Sequence, residues 1–338
     1  FDPLIVGDFD YDRFHIHTDP QNNIYIIGQY ITNFNNSIGG ISLHYNGQSD
    51  DTFFIAKYDS SGMFLDVFSE ETQTSSSSAT DKDYNIYCSL VDNYGNIFVA
   101  GKKVNSSGEY RAFIRKYDSN LDLIANAASG VTGASNWSHR VNDLVSDGSG
   151  GVYMAGDYEG SMEFGVYTSP GDISASGQGF VGYWDNAGIV QWINSIGDIN
   201  LSGLSDYASS VIMDQNNDVL VAGRIGVEDP TTGGHDCKVF IKKYDINGNI
   251  ISNTESAVMS HFIPIEDGIK INTDQNGNLY LYTSHNVTNA DPDYTFNSFP
   301  LNPIISNSQI LYKMDNNLSV LNALNFGTGS IDASQIIT

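Results

Sequence analysis

The sequence predicts an all-β protein, a β-propeller of four-stranded antiparallel blades, with five full repeats in 338 residues. Two kinds of strand–turn–strand segment predict this fold, because they alternate along the chain and together form a repeat of roughly 65 residues. An aromatic content of 12% also favours strands over helices. Sheets repeated in this way close into a ring, and we expect about six or seven blades in the intact protein.

The first kind of segment is an apolar strand, an Asp, a polar turn and a second apolar strand, which we call strands A and B. Clear copies are CSLVDNYGNIFVAG (88–101) and SVIMDQNNDVLVAG (210–223). Asp, Asn and Gly in these turns tolerate the positive φ that tight hairpins need, so we assign the marker Asp a structural role. The markers are Asp19, Asp92, Asp147, Asp214 and Asp274.

The second kind of segment supplies strands C and D, as in FFIAKYDSSG (53–62) and VFIKKYDING (239–248). Strand C places Phe beside Ile, as at Phe113 and Ile114, and adjacent strand residues point to opposite faces. Both faces of the sheet are therefore expected to be buried. The markers, also structural, are Asp59, Asp118, Asp185, Asp245 and Asp315.

The spacing of the markers shows where the repeats differ. From each C–D Asp to the next A–B Asp the distances are 33, 29, 29 and 29 residues. From each A–B Asp to the following C–D Asp they are 40, 26, 38, 31 and 41 residues. The variation therefore lies in the B–C loops, which we place roughly at 29–52, 102–111, 157–179, 224–238 and 283–308.

We expect residues 1–338 to form a single propeller domain that is a fragment of a longer chain. Residues 326–338 align with 6–18, which predicts a D strand at the N-terminus, the start of a further blade at the C-terminus and more chain after Thr338. Helical periodicity is missing, so essentially no helix is expected. The predicted parts are the D strand at 1–9, repeats at about 10–71, 81–128, 138–196, 204–257 and 265–326, and the further blade from 330–338.

The charge balance limits the partners. Acidic residues number 40 and basic residues 15, which gives a net charge of −25. Such a surface repels phosphate backbones and anionic lipids, so we expect no nucleic-acid partner. The chain has no run of 18 apolar residues, so we do not expect it to span a membrane. Cys88 and Cys237 fall in distant repeats and are expected to be free thiols.

The pattern D-x-N-G-N-x-[YF]-[VL]-[AY]-G followed by F-I-x-K-Y-D-x-x-G resembles the SBBP β-propeller repeat of bacterial secreted and surface proteins. It is clearest at 92–101, 274–282, 54–62 and 240–248. The resemblance covers almost the whole chain and implies export to the cell surface or the extracellular space. It also implies flanking domains in the same chain, as in surface adhesins or cargo of type IX secretion.

The Asp- and Asn-rich turns raise the question of calcium, because alternating carboxylate and amide oxygens suit that ion. However, the twelfth positions counted from Asp245 and Asp274 are Ser256 and His285, where an EF-type loop needs Glu. We therefore interpret the turns as hairpins capped by Asp, and we assign no metal and no cofactor.

Strand C carries a recurring lysine two residues before its Asp in four of the five repeats. In a chain this poor in lysine, a repeated residue usually serves the repeat. We interpret these lysines as structural, forming ion pairs with a nearby Asp between blades. They are Lys57, Lys116, Lys243 and Lys313.

Ligand binding is expected on the loops, where the repeats differ. Aromatic rings beside carboxylates and amides suit a glycan, although the same rings also suit packing of the loops onto the ring of blades. His235 and Asp236 were weighed as metal ligands, but loop histidines are usually just solvated. The candidates are Tyr30, Phe34, His44, Tyr45, Trp137, His139, Arg140, Tyr158, Glu159, Tyr167, His235, Asp236, Tyr294 and Phe296.

Catalytic motifs such as G-x-S-x-G, H-E-x-x-H or a Walker loop do not occur, so we assign no catalytic residue. The expected function is a non-catalytic extracellular or cell-surface module that binds a glycan or protein, or serves as a rigid spacer in an adhesin. Two alternatives remain: a glycan hydrolase or lyase with an axial funnel site, and a structural subunit of a filament or virion surface.

Overall fold

The computed structural model describes residues 5–6, 9–32, 35–45, 50–70, 81–105, 108–131, 138–169, 177–197, 205–228, 235–258, 262–287, 295–296, 299–300 and 308–328. Every regular element in these ranges is a strand. The structure contains no helix long and apolar enough to cross a membrane within these ranges.

The strands of the first half are, in chain order, β1 (Ile5–Val6), β2 (Phe9–Thr18), β3 (Ile24–Ile31), β4 (Ser37–Ile38), β5 (Ile41–Ser42), β6 (Asp51–Tyr58), β7 (Phe64–Ser69), β8 (Asp81–Val91), β9 (Ile97–Asn105), β10 (Tyr110–Tyr117), β11 (Leu123–Ala128), β12 (Gly130–Val131), β13 (His139–Ser146) and β14 (Val152–Glu159). Those of the second half are β15 (Met162–Phe164), β16 (Tyr167–Thr168), β17 (Gly177–Trp184), β18 (Val190–Ile196), β19 (Tyr207–Met213), β20 (Val219–Glu228), β21 (His235–Tyr244), β22 (Ile250–Glu255), β23 (Phe262–Thr273), β24 (Leu279–Val287), β25 (Thr295–Phe296), β26 (Phe299–Pro300), β27 (Ser308–Met314) and β28 (Val320–Thr328).

Five four-stranded sheets follow one another along the chain, and each contains its four strands in the order A, B, C, D. The neighbouring strands pair antiparallel, for example β9 with β8 and with β10. The fold class is therefore the predicted one: all-β, of the β-propeller type, with four-stranded antiparallel blades. Sheets 1 to 5 are β2–β3–β6–β7, β8–β9–β10–β11, β13–β14–β17–β18, β19–β20–β21–β22 and β23–β24–β27–β28.

The chain divides into two compact units. Unit 1 comprises Phe1–Val152, Met162–Thr168 and Trp184–Gln191, and therefore holds sheets 1 and 2. Unit 2 comprises Tyr153–Ser161, Ser169–Tyr183 and Trp192–Thr338, and holds sheets 4 and 5. Residues of sheet 3 belong to both units. The single-domain organisation and the number of blades in the intact protein remain predictions, and the further blade at 330–338 lies outside the described residues.

The core of each unit lies between consecutive sheets. In unit 1, Tyr25 and Phe53 of sheet 1 share a buried cluster with Tyr84 and Phe113 of sheet 2. In unit 2, residues of sheets 4 and 5 form the corresponding cluster. The Phe–Ile pairs of strand C are buried on both faces, as predicted: Phe54, Ile55, Phe113, Ile114, Phe240 and Ile241 are at most 1% exposed.

The glycine that recurs in strand B allows a close approach to strand A. A Cβ added at Gly101 would overlap the carbonyl oxygen of Asn85, and one at Gly223 would overlap that of Tyr207. In both sheets strand A carries an irregularity at this level, where the register shifts by one residue. Glycine is therefore required opposite the bulge.

The B–C loops of repeats 1, 3 and 5 contain a second, small piece of sheet. We call β4–β5, β15–β16 and β25–β26 the loop hairpins. The first pairs with β1 and the second with β12, which directly follows strand D of repeat 2. Ser256, just after strand D of repeat 4, bridges to Phe296 of the third. The long marker spacings of repeats 1, 3 and 5 therefore correspond to these hairpins.

Candidate functional site

The ten marker Asp residues all build the same turn. The Asp backbone N–H donates to the carbonyl of the fourth residue on, in all ten turns. At Asp92, Oδ1 accepts the N–H groups of Tyr94 and Asn96 at 2.8 Å each, and Oδ2 accepts the Asn96 side-chain amide at 2.8 Å. These carboxylates are therefore held by hydrogen bonds within their own turns, as the hairpin interpretation predicted.

The fourth turn residue has a positive φ at all ten sites, which completes the tight hairpin. Most of these residues are Gly or Asn, but two are Leu: Leu121 at 68° and Leu318 at 65°. Both leucine side chains are buried in the core, at 5% and 1% exposure. Burial of the side chain offsets the cost of the left-handed backbone.

The recurring lysines of strand C make contacts that differ from the prediction. Lys57 Nζ donates to the carbonyl of Ser119 in repeat 2 at 2.7 Å. Lys116 Nζ donates to the carbonyl of Gly150 at 2.8 Å and to Oδ1 of Asn186 at 2.6 Å, both in repeat 3. These two lysines do join neighbouring repeats, but their acceptors are turn carbonyl and amide oxygens instead of carboxylates.

Lys243 forms ion pairs within its own repeat. Its Nζ lies 2.8 Å from Asp214 Oδ2 and 2.9 Å from Asp218 Oδ2, both in the A–B turn of sheet 4. Burial lowers the pKa of Lys243, but the hydrogen bonds to the two carboxylates outweigh this and the pKa is raised. Lys313 lies 5.8 Å from the ring centroid of Tyr280. The interpretation as ion pairs between blades is therefore wrong for Lys57, Lys116 and Lys243, because turn backbone lies closer to the first two.

An ion pair between repeats does occur, but at other residues. Arg115 of sheet 2 pairs with Glu70, which follows strand D of sheet 1. Arg115 also donates to the Tyr84 hydroxyl at 2.6 Å. The side chains of Arg115 and Glu70 are 14% and 12% exposed. No repeat signal marks this pair, so sequence analysis missed it.

Several predicted ligand residues are buried and hold the fold together. Tyr30 is fully buried and its hydroxyl donates to the His44 carbonyl at 3.3 Å. His139 is buried, with Nδ1 3.0 Å from Ser129 Oγ. Tyr158 Oη lies 2.7 Å from Ser195 Oγ. Phe296 packs on Tyr312 with ring centroids 5.1 Å apart. These four side chains correspond to the packing alternative.

Other predicted ligand residues reach the surface. Tyr45 is 53% exposed, and His44, Arg140, Glu159 and Tyr167 are half-buried. Asp236 is buried, and at His235 the structure describes the strand but not the side chain. Phe34, Trp137 and Tyr294 lie outside the described residues.

The B–C loops are shorter than predicted, because the B–C ladders continue into them. Glu228 pairs with His235 and Val227 with Asp236, so both predicted loop residues lie in β21. Tyr30 pairs with Thr52 in the same way. Tyr158 and Glu159 lie in β14, while His139 and Arg140 begin β13. Polar residues at the loop-proximal ends of these strands made the ends look like loops in the sequence.

The B–C end of sheet 2 carries a group of cations that sequence analysis did not single out. Lys103 of β9 lies directly opposite Arg111 of β10. Lys102 Nζ sits 4.8 Å from the ring centroid of Tyr110. Arg111 pairs with Glu109, yet its Nε is buried without a hydrogen-bond partner among the described residues. We call Lys102, Lys103, Tyr110 and Arg111 the cationic end of sheet 2.

A further cation, Arg140 of sheet 3, stacks over Tyr87 of sheet 2 with its Cζ 5.6 Å from the ring centroid. Carboxylates at this end include those of Glu109 and Asp83, and Asp83 accepts the backbone N–H of Asp51 at 3.0 Å. The chain has only 15 Lys and Arg against 40 acids. The cationic end is therefore a local reversal of the overall charge, which a residue-by-residue charge map would have located.

His17 and Ser89 resemble a nucleophile–base pair, as do the buried His139 and Ser129 described above. His17 Nε2 lies 2.9 Å from Ser89 Oγ, between the A strands of sheets 1 and 2. Burial lowers the pKa of His17, so the imidazole is neutral near pH 7. No carboxylate is hydrogen-bonded to His17 among the described residues. Sequence analysis missed this pair because the two residues lie in different repeats.

The described residues contain no group of three or more His, Cys, Asp or Glu side chains placed to hold a metal ion. Both cysteines are free thiols, as predicted, and both are buried. Burial raises the pKa of the Cys237 thiol to about 12. Cys237 is therefore protonated and packs as an apolar side chain.

No protein family matches this sequence, and no curated protein matches it. Two solved structures are similar to the chain. The alpha-L-arabinanase of Penicillium chrysogenum, complexed with arabinobiose, is 10% identical, with 96% of each chain covered and a TM-score of 0.47. A member of the DUF4221 family from Bacteroides vulgatus is 9% identical, with 95% of this chain and 84% of the other covered and a TM-score of 0.37. These TM-scores are too low to support an argument about this chain.

Proposed function

We propose that this chain is a non-catalytic, extracellular propeller module that binds an acidic glycan at the cationic end of sheet 2. The observation that carries the proposal is the local reversal of charge there. Lys103 lies directly opposite Arg111, and Lys102 is the neighbour of Lys103 in β9. These three cations belong to a chain with a net charge of −25. Carboxylate or sulfate groups of a glycan match guanidinium and ammonium donors.

The arrangement of the other polar residues supports this choice of site. The marker Asp carboxylates are engaged in their own turns, and Lys57 and Lys116 join neighbouring repeats. Residues that repeat therefore serve the scaffold. A binding site is better sought where one repeat differs from the others, and among the described residues only repeat 2 places two cations directly opposite each other across strands B and C, at Lys103 and Arg111.

The cationic end also offers a ring beside its charges. The ammonium group of Lys102 lies 4.8 Å from the ring centroid of Tyr110. The buried Nε of Arg111 is an N–H donor that still lacks an acceptor. A bound carboxylate or sulfate would accept hydrogen bonds at this end and relieve repulsion between Lys103 and Arg111.

The extracellular location and a role within an adhesin rest on the resemblance to the SBBP repeat. Within that setting the scaffold acts as a rigid spacer that presents the site. A protein partner with an acidic surface is the competing ligand class, and the experiment below separates the two.

The test is an array of acidic and neutral glycans probed with the wild-type chain and the double variant Lys103→Ala, Arg111→Ala. We expect the wild type to bind glycans that carry carboxylates or sulfates, and the double variant to lose about 10-fold or more in affinity. Lys238→Ala is the matched control, because Lys238 occupies the position of Arg111 in repeat 4 but lies opposite Ile225 instead of a second cation.

Two results would contradict the proposal. Binding to neutral glycans that is unaffected by the double variant would place the site elsewhere. Hydrolysis of a glycan or ester by the wild type, abolished by Ser89→Ala, would show that the module is catalytic and that the His17–Ser89 pair carries the activity.

A further inference from the structure

The first residue of strand D occupies the same place in all five sheets, but its exposure alternates. In repeats 1, 3 and 5 this residue is covered: Phe64 and Val320 are half-buried, and Val190 is 2% exposed. In repeats 2 and 4 it is uncovered: Leu123 is 44% and Ile250 57% exposed.

The loop hairpins account for the covered positions. Gly39, at the tip of the first hairpin, lies so close to Phe64 that an added Cβ would overlap its ring. Gly165, at the tip of the second, would place a Cβ 2.8 Å from the Cβ of Val190. The third hairpin buries Phe296 in the cluster on which Val320 packs. A β-hairpin therefore seats on the start of strand D in each odd repeat.

The described residues of repeats 2 and 4 contain no such hairpin. Their B–C connections are short, from Asn105 to Tyr110 and from Glu228 to His235. The surface at the start of strand D is therefore present in repeats 2 and 4, but no loop hairpin among the described residues covers it. Next to Leu123 and Ile250, the side chains of Ile124 and Ile251 are each 52% exposed, so an aliphatic pair is presented in both repeats.

The strands that carry these pairs are also free edges of their sheets. Strand β11 pairs only with β10, and β22 only with β21. Exposed edge strands usually carry charges or proline that block pairing. β11 (LIANAA) has neither, and β22 (IISNTE) has only the Glu255 at its end. Along their described residues, both edges therefore lack most of the features that block an added strand.

Charge indicates the chemistry of the partner. Asp122 directly precedes Leu123, and the C–D markers Asp118 and Asp245 lie five residues before Leu123 and Ile250. A segment that binds here meets carboxylates beside aliphatic side chains. Lysine or arginine in that segment would match them, whereas the acidic surface of a second copy of this chain would be repelled.

We propose that the starts of β11 and β22 are two equivalent docking sites for a basic, aliphatic β-segment of another protein. The segment takes the place that the loop hairpins take in the odd repeats, so one chain binds two such segments. This inference is independent of the proposed glycan site, which lies at the other end of strands B and C in sheet 2.

The test uses a synthetic hairpin peptide with the sequence of residues 159–169, in which Glu159 and Glu163 are replaced by lysine. Calorimetric titration into the full chain is expected to give two sites. Leu123→Glu or Ile250→Glu alone should leave one site, and the two together should leave none. Leu65→Glu is the control, since Leu65 is a strand D residue of repeat 1 with the same 44% exposure as Leu123.

Three outcomes would overturn the proposal: no binding of the peptide, binding that the double variant leaves unchanged, or equal loss in Leu65→Glu. Self-association of the wild type that the double variant abolishes would do the same, since the occupant would then be a second copy. Thermal melts of each variant show whether the fold is retained, and Leu123→Gln with Ile250→Gln provides a milder pair if it is not.

Discussion

At the scale of single residues, the marker Asp is the device on which each hairpin depends. The carboxylate accepts hydrogen bonds from two backbone N–H groups of the turn that have no carbonyl acceptor. In the turn at Asp92, the side-chain amide of Asn96, the fifth turn residue, donates a third hydrogen bond. These hydrogen bonds all lie within one turn and involve no residue of another repeat, so the sequence alone predicts them.

We predict that Asp92→Ala lowers the free energy of unfolding by about 2 kcal/mol, because it removes charge-assisted hydrogen bonds at a buried turn. Asp92→Asn should cost less, since its Oδ1 still accepts the N–H groups of Tyr94 and Asn96. Urea denaturation monitored by circular dichroism measures both. Equal losses in the two variants would contradict this expectation, because the uncharged Oδ1 of Asn would then contribute nothing to the turn.

Stability should also depend on pH through the turns. Hydrogen bonds from Ser61 lower the pKa of Asp59, those from Asn249 the pKa of Asp245, and those from Asn278 the pKa of Asp274. The unfolded chain then binds more protons than the folded chain at acidic pH, so stability rises with pH there. The contribution is complete above pH of about 4 and is lost as pH falls through the folded pKa values.

The check is the melting temperature from pH 7 down to pH 2, compared with that of Asp274→Asn. The variant should show a shallower decline, because one carboxyl no longer has to be protonated. A decline of the same steepness would mean that other groups set the acid sensitivity.

At the scale of elements, the glycine of strand B provides the space that the bulge of strand A occupies. We predict that Gly101→Ala costs about 3 kcal/mol, because the new Cβ meets the backbone of Asn85 and neither can move away. Gly95→Ala should cost only about 1 kcal/mol: its φ is +81°, but the nearest atom to an added Cβ is 3.7 Å away. Midpoints of denaturant unfolding compare the two, and equal costs would contradict the role of the bulge.

The loop hairpins show what spacing predicts and what it misses. Distances of 40, 38 and 41 residues between markers identified the long loops of repeats 1, 3 and 5. They did not reveal that each loop folds back on strand D, because the contact depends on Gly39 and Gly165, and isolated glycines in a loop carry no distinctive signal. The aromatic residues of these loops therefore looked like ligand contacts, whereas Phe296 is buried.

The lysines of strand C illustrate a similar limit. Sequence repetition correctly indicated a structural role, and two of them join neighbouring repeats. The choice of partner could not be predicted, because a buried ammonium group donates hydrogen bonds to a turn carbonyl as readily as to a carboxylate. Lys116, at 2% exposure, finds the carbonyl of Gly150 and the amide of Asn186.

At the scale of the whole molecule, the fold was predictable and the site was not. The turn chemistry and the strand pattern repeat five times, so one atypical repeat does not obscure the fold. The opposed cations Lys103 and Arg111 occur in repeat 2 alone among the described residues, and they meet only because β9 and β10 pair in this register. His17 and Ser89 likewise meet only across two sheets.

The central claim is that acidic glycans bind at the cationic end of sheet 2. The most direct measurement is calorimetric titration of the chain with oligogalacturonate and with heparin oligosaccharides, at low and at high salt. We predict binding to at least one of them that weakens as salt rises and that Lys103→Ala with Arg111→Ala reduces by about 10-fold or more, while Lys238→Ala leaves it unchanged. No binding to either probe, or binding that is insensitive to both salt and the double variant, would contradict the account.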